Sequence, residues 1–349
     1  MTIRSTPAMA ITLGLLAAAA TVACGSARRL PEGAELIPAG ITVTLAVDVP
    51  AVLNSDLYKR YETDESFFGR NRQNLYRFAE AAGLDPAKDL RKVIFLVGAG
   101  EEGLEDMSAV VTGTFDGAKV HAFLADSGVP SHQVAGIDIF EFIIIDGRCR
   151  FCMAVVDGST AAFGDGETLG KIAEVKKGVT PGLATVEGPA RLLTRMGPGP
   201  DVWGIVQAGD LKRVLAEMLS QLDARGSQLS KLGPIHEAAF SLELNEPLRV
   251  ALELTTDSKE DALLVADVLK GAEAVARLAL RETKPETARL MSDLMVEADT
   301  GLVRVAGSLP GSDIETVVRT LRLSALADRL TQPAEPGSGP SSEASGTPR

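Results

Sequence analysis

Aromatic side chains are scarce in this chain. They make up 4% of it, with one Trp, three Tyr and eleven Phe. Sugar-binding surfaces need exposed aromatic platforms, so that class loses ground. Histidine is scarcer: His121, His132 and His236 lie far apart in sequence. Three scattered imidazoles indicate no metal site, because first-row metals are held by clustered His, Cys and carboxylate ligands. Basic charge is short as well. Lys and Arg number 35 against 47 Asp and Glu, for a net charge of -12 and a pI near 4.9. An acidic chain repels phosphate backbones, which argues against a nucleic-acid partner. No G-x-S-x-G or S-x-x-K occurs, so the common serine-hydrolase signatures are missing. No apolar run reaches the ~20 residues that a membrane-spanning helix needs. What remains is an ordinary globular composition, 45% hydrophobic and 23% charged. At 349 residues, two domains are the natural expectation.

The N-terminus carries the clearest signal. Residues 1–23 hold one charge, Arg4, and Ala8 to Ala23 are almost wholly apolar. The segment is too short to span a membrane and ends in Thr21-Val22-Ala23-Cys24-Gly25-Ser26, small residues around a cysteine. This stretch resembles the lipobox-type signal peptide of bacterial lipoprotein precursors, with Thr21 where that family usually has Leu. The resemblance covers about 24 residues. It implies that 1–23 is removed and that Cys24 becomes the lipidated first residue, making the membrane a partner. Gly25 after the cysteine, rather than Asp, implies an outer-membrane destination, facing the periplasm or the cell surface.

Along the rest, 24–40 reads as a lipid-anchored tether with Pro31 and Pro38. The last segment, 331–349, reads as a disordered tail, because eleven of its final eighteen residues are Pro, Gly or Ser. Between them the order of elements repeats. "ITVTLAVDVPAVLNSDL" from Ile41 and "DVWGIVQAGDLKRVLAEML" from Asp201 each read as an alternating strand followed by a helix start. Strand-strand-helix units follow each. In the second half these are 237–244 with 248–255, a helix over 258–279, then 292–298 with 302–308. Asn245-Glu246-Pro247 and Asp299-Thr300-Gly301 suit turns, and Asp116, Asp257 and Ser312 suit helix N-caps. The expectation is α+β: two similar domains, 41–180 and 200–330, joined by a linker at 181–199. Each would be an antiparallel sheet with helices packed on one face.

Several motifs resemble chemistry without completing it. Gly98, Gly100 and Gly103 spell G-x-G-x-x-G, but "LEDMSAVVTGTF" follows, a strand rather than the helix whose N-terminus would hold a pyrophosphate. The glycines suit a hairpin loop. "DGETLGKI", 165–172, nearly spells a phosphate loop, yet lacks its first glycine and the Ser/Thr after Lys171. His236-Glu237 begins like a zincin helix but runs into an alternating strand. No cofactor is expected.

Cys149 and Cys152 form C-x-x-C within "FEFIIIDGRCRFCMAVV". Asp146-Gly147 is a hairpin turn. A regular hairpin from that turn sets Phe142 against Phe151 and points the two sulfurs to opposite faces. Three residues apart on a straight strand, their Cα atoms stand ~10 Å apart, beyond the ~7 Å limit for a disulfide. Free, buried thiols are expected.

Leu57 to Phe78 departs from the background. It holds Tyr58, Tyr61, Phe67, Phe68, Tyr76 and Phe78, six of the fifteen aromatics, together with Lys59, Arg60, Arg70, Arg72 and Arg77. Tyr and Arg are enriched at binding hot spots. Two readings stay open: a partner-binding segment through Tyr58, Tyr61, Phe67, Phe68, Arg70, Arg72, Tyr76 and Arg77, or aromatics that close one end of a sheet beneath arginine stems. The functional expectation is a lipid-anchored envelope protein, not an enzyme, that binds or scaffolds an envelope protein or lipid. The alternatives are a carrier of an apolar ligand between sheet and helices, and an envelope hydrolase without a recognised motif.

Overall fold

The computed structural model describes residues 30–61, 85–98, 107–145, 147–197, 199–207, 235–283 and 285–310. Among the described residues, twelve antiparallel strands form one sheet, in the order β11-β12-β10-β9-β8-β1-β2-β3-β7-β6-β5-β4. The strands are β1 Ile41–Asp48, β2 Leu90–Gly98, β3 Met107–Gly113, β4 Ser131–Val134, β5 Ile137–Ile145 and β6 Arg148–Asp157. They continue with β7 Thr160–Gly164, β8 Val202–Gln207, β9 Ile235–Glu243, β10 Leu248–Thr256, β11 Met295–Asp299 and β12 Leu302–Leu309. The helices are α1 Val49–Asn54, α2 Asp56–Tyr61, α3 Pro86–Asp89, α4 Gly117–Asp126, α5 Gly166–Lys176, α6 Glu187–Met196, α7 Lys259–Thr283 and α8 Pro285–Ser292. Antiparallel sheet with helices agrees with the expected α+β class, but the helices cover both faces of the sheet rather than the one face expected.

Alternation along each strand builds the core. One row of paired residues crosses seven strands: Trp203, Ala46, Ile94, Val110, Ala162, Ala154 and Ile139. None of them is more than 1% exposed. Leu169 and Ile172 of α5 and Leu192 and Leu193 of α6 cover this face, with Ala34, Leu36 and Ile37 of the N-terminal stretch. Full burial of each such Leu or Ile contributes about 1.5–3 kcal/mol. The opposite face of the second half is covered by α7, where Ala262, Val265 and Ala266 meet Ile235, Ala238, Leu254 and Val303. There α4 covers the same face of the first half, with His121 set edge-on against Phe140.

Three sequence boundaries shift. The stretch from Leu30 to Gly40 is not free tether: Ala34 and Ile37 are fully buried, and Glu32 lies beside Lys92. Small apolar residues between prolines look like tether in sequence, yet fit closely under a helix. The expected linker 181–199 contains α6, whose Leu192 and Leu193 are fully buried. The α7 cap is Ser258, whose Oγ accepts from the Asp261 N–H at 3.0 Å, while the expected cap, Asp257, bonds His236. Asp116 caps α4 as expected, accepting from the N–H groups of Ala118 and Lys119. Ser312 lies outside the described residues.

The two halves meet at β1 and β8, which pair antiparallel with Leu45 opposite Gly204. Outward from that junction the spatial order is β1-β2-β3-β7-β6 on one side and β8-β9-β10-β12-β11 on the other. The first half then adds the hairpin β5-β4. The sheet is continuous across the junction, and the main core draws on both halves, from Ile139 to Ala239.

Candidate functional site

The hairpin of β5 and β6 ends in an exposed apolar tip. Phe142, Ile143, Ile144 and Ile145 are 44–53% exposed, and Phe151 across from them is 39% exposed. The cause is topological. The edge strand β4 runs alongside β5 only from Val134 opposite Ile137 to Ser131 opposite Phe140. Past Glu141, whose N–H bonds the Pro130 carbonyl at 2.8 Å, no β4 residue flanks β5. The sequence signal was present: the run Phe142 to Ile145 breaks the polar–apolar alternation of a half-buried strand. Arg148 is exposed at the start of β6, and the phenyl rings of Phe142 and Phe151 sit 5.9 Å apart.

A bond sits beneath this tip. Cys149 and Cys152 are joined as a disulfide with their Cα atoms 6.0 Å apart, which corrects the expectation of free thiols. The physical reason lies in the ladder. Ile139 to Glu141 face Ala154 to Cys152 in one register, and Ile144 and Ile145 face Cys149 and Arg148 in the same register. Between them Ile143 faces Phe151, so the ladder skips Phe142 on one strand and Arg150 on the other. That double irregularity turns Cys149 toward the face of Cys152. A turn signal fixes a hairpin's ends but not its bulges. Cys152 is fully buried, and Cys149 is half-buried against the core.

The start of α5 closes over the bond. Asp165 caps this helix, accepting from the Thr168 N–H at 2.8 Å and from the Ser108 hydroxyl at 3.0 Å. Gly166 follows, and a Cβ there would stand 3.2 Å from Cys149 Cβ and 3.3 Å from Cys152 Sγ. Glycine thus lets the helix N-terminus approach the sulfurs. "DGETLGKI" is therefore a strand-to-helix junction.

Other groups are dispersed. Each histidine bonds one carboxylate: His121 with Asp138 at 2.8 Å, His132 with Glu141 at 2.7 Å and His236 with Asp257 at 2.7 Å. Among the described residues, no three His, Cys, Asp or Glu side chains are placed to hold a metal ion. A shallow groove is lined by Arg191, Thr194, Arg195 and Leu302. Its arginines are engaged, Arg195 with the buried Glu253 at 3.2 Å and Arg191 with the Thr300 carbonyl. The Asp299 carboxyl beside them is held below its ordinary pKa, first by the Thr300 N–H and then by the two guanidinium groups. β2 and β3 pair antiparallel with Val97 opposite Met107; Gly98 ends β2, and Gly100 and Gly103 lie outside the described residues.

Of the residues singled out in sequence, Tyr58 and Tyr61 fall in α2, where Tyr58 is half-buried and its N–H bonds Ser55 Oγ at 3.1 Å. Cys24, Phe67, Phe68, Arg70, Arg72, Tyr76 and Arg77 lie outside the described residues. Among the described residues, no helix is long and apolar enough to cross a membrane.

No protein-family model matches the chain, and no curated protein is similar to it. Among solved structures the chain is similar to crystal form III of TP0453, with a TM-score of 0.44 at 10% identity, covering 82% of this chain and 97% of that one. Crystal form I of TP0453 gives a TM-score of 0.41 at 11% identity, covering 83% and 97%.

Proposed function

We propose that the chain is a lipid-anchored protein of the bacterial envelope with a non-enzymatic binding or scaffolding role. In this reading it is built from two copies of one α+β unit fused through a shared sheet. The matching strand order on the two sides of the β1–β8 junction supports the duplication. The lipobox-like end at Cys24 supports the anchor. The Cys149–Cys152 bond supports export, since disulfides form and persist in oxidising compartments and are rare in the cytosol.

The observation that carries the binding role is the exposed tip, Phe142 to Ile145 with Phe151. Contiguous apolar surface of this kind on a folded protein marks an interaction site far more often than singly scattered apolar residues do. Its partner is an envelope protein that presents an apolar surface. The exposed Arg148 at the start of β6 argues against the tip entering lipid, because burying that charge in hydrocarbon is costly. The Tyr58 to Arg77 segment, rich in Tyr and Arg, is a second candidate surface for the same role.

A fatty-acid probe fed to cells should label the wild-type chain and leave Cys24→Ala unlabelled. Equal labelling of both would remove the anchor from this reading. A photo-cross-linking residue at Ile144 should capture one defined partner, and capture should fail when Ile143 and Ile145 are both changed to Glu. Capture that survives those changes would remove the tip from it.

A further inference from the structure

The Cys149–Cys152 bond and a regular β5–β6 ladder exclude each other. A straight strand would separate these Cα atoms by ~10 Å and point the sulfurs to opposite faces, whereas the bonded pair stands at 6.0 Å. The ladder accommodates the bond by skipping Phe142 and Arg150, and it returns to its original register at Ile144–Cys149. Both ends of the hairpin are already in regular register, so only the middle must move for the ladder to become continuous. In that continuous form Phe142 faces Phe151 and Ile143 faces Arg150.

From this we infer that the disulfide is an exchangeable brace and that its oxidation state selects between two arrangements of the apolar tip. Oxidised, the hairpin is the bulged form described above. Reduced, it closes into the regular ladder. The co-reactant is a dithiol, either a small one or a dithiol protein of the same compartment.

The chemistry balances as follows. One thiolate of the dithiol attacks Cys149 Sγ, the half-buried sulfur. The Cys149–Cys152 bond breaks, and its electron pair leaves on Cys152 as a thiolate. The second thiolate of the dithiol then attacks the mixed disulfide at its own partner sulfur and releases Cys149. The dithiol is oxidised to a disulfide, the cysteine pair takes two electrons, and the two thiol protons of the reagent pass to the two cysteines. Thiol exchange proceeds by such attack through a mixed disulfide.

Three features of the fold suit this role. The attacked sulfur lies in a tip that β4 does not flank, and segments with exposed backbone pairing open at low local cost. The leaving sulfur, Cys152, ends against the first turn of α5, an eleven-residue helix whose N–H groups favour a thiolate. Gly166 at that turn gives the sulfurs their room. None of this depends on whether Cys24 carries lipid or on which partner the tip meets, so the test below can fail while the proposed function stands.

The test uses the full-length chain without denaturant, treated with excess dithiothreitol and trapped with iodoacetamide. Both cysteines should become alkylated. Backbone hydrogen exchange should change only between Phe140 and Met153, with protection gained at Phe142, Ile143 and Phe151 and the rest of the sheet unaltered. Reoxidation should restore the first pattern. The double variant Cys149→Ser, Cys152→Ser should show the reduced pattern and no response to dithiothreitol. Should that variant fail to fold, reversible reduction of the wild type decides alone. A bond that yields only in denaturant overturns the inference. So does reduction with an unchanged exchange pattern, or reduction that lowers protection throughout the sheet.

Discussion

The strand at one end of the sheet, β11, is five residues long and reads Met295-Val296-Glu297-Ala298-Asp299, with acids at alternate positions and Glu297 opposite Arg304. At the other end, β4 is four residues long and polar, but β5 outruns it with four consecutive apolar residues. Short, charged edges discourage pairing with other chains. The first edge follows that rule. The second follows it only as far as Glu141. In strand order the hairpin β6–β7 corresponds to β11–β12, and β4–β5 is what the first half adds. An added hairpin that keeps exposed Phe and Ile side chains and holds a disulfide is where binding is best sought. Four expectations break or sharpen this contrast.

The largest effect concerns what the two edges share. Trp203 on β8 is 1% exposed and packs in the core common to both halves. Trp203→Ala should cost about 3–5 kcal/mol, as deletion of a buried aromatic does. Denaturant unfolding followed separately by probes near Ile144 and near Met295 should keep one common midpoint. Two separated midpoints would mean that the halves are independent domains.

Next comes the contrast itself. Ile144→Asp should lower partner capture about tenfold or more, on the scale of a binding hot spot. It should move the melting temperature little, since Ile144 is 53% exposed. Met295→Asp, at a residue 61% exposed on the other edge, should change neither. Equal losses at both edges would dissolve the distinction.

Smaller again is the cap beneath the tip. Asp165→Ala removes the acceptor for the Thr168 N–H and for Ser108, and should cost about 1–2 kcal/mol. Because α5 starts against the disulfide, amide exchange should rise first in Gly166 to Leu169 and in Cys149 to Cys152. An increase confined to α5 would uncouple the helix from the tip.

The smallest is a pH effect at the far end of the same hairpin. Burial pushes the Asp157 carboxyl up, but the Lys176 ammonium at 2.5 Å and the Ser159 N–H outweigh it and hold it below the ordinary carboxylate range. A lowered folded-state pKa stabilises the fold above the unfolded pKa, and that contribution is lost as pH falls through the folded one. For a pair this exposed the gain is under about 1 kcal/mol. Asp157→Asn should slightly flatten the acid limb of the stability curve and leave the tip unchanged.

Much of the architecture was legible in sequence. Alternation in "LRVALELTT" and "LVRVAGS" placed β10 and β12, Gly147 placed the break between β5 and β6, and Asp116 placed the start of α4. Those features are local, set by the period of two and by side chains that bond their own backbone. The misses are tertiary. Ala34 and Ile37 resemble tether because nothing nearby in sequence shows that a helix will close over them. Within the expected linker, "EGPARLLTRM" is one short amphipathic helix that becomes visible only once a sheet receives Leu192 and Leu193. The disulfide was missed because a straight strand was assumed, and a two-residue bulge reverses the sulfur directions. The tip was half legible: its run of apolar residues was plain, but its exposure depends on where β4 stops.

An intact mass measured on the chain extracted from cell envelopes, after alkylation in denaturant without reductant, tests the central claim most directly. The account predicts a chain that begins at Cys24, carries acyl chains on that residue and takes up no alkylating reagent, because Cys149 and Cys152 are bonded to each other. A chain that keeps residues 1–23, or lacks acyl mass while two or more cysteines are alkylated, would contradict it.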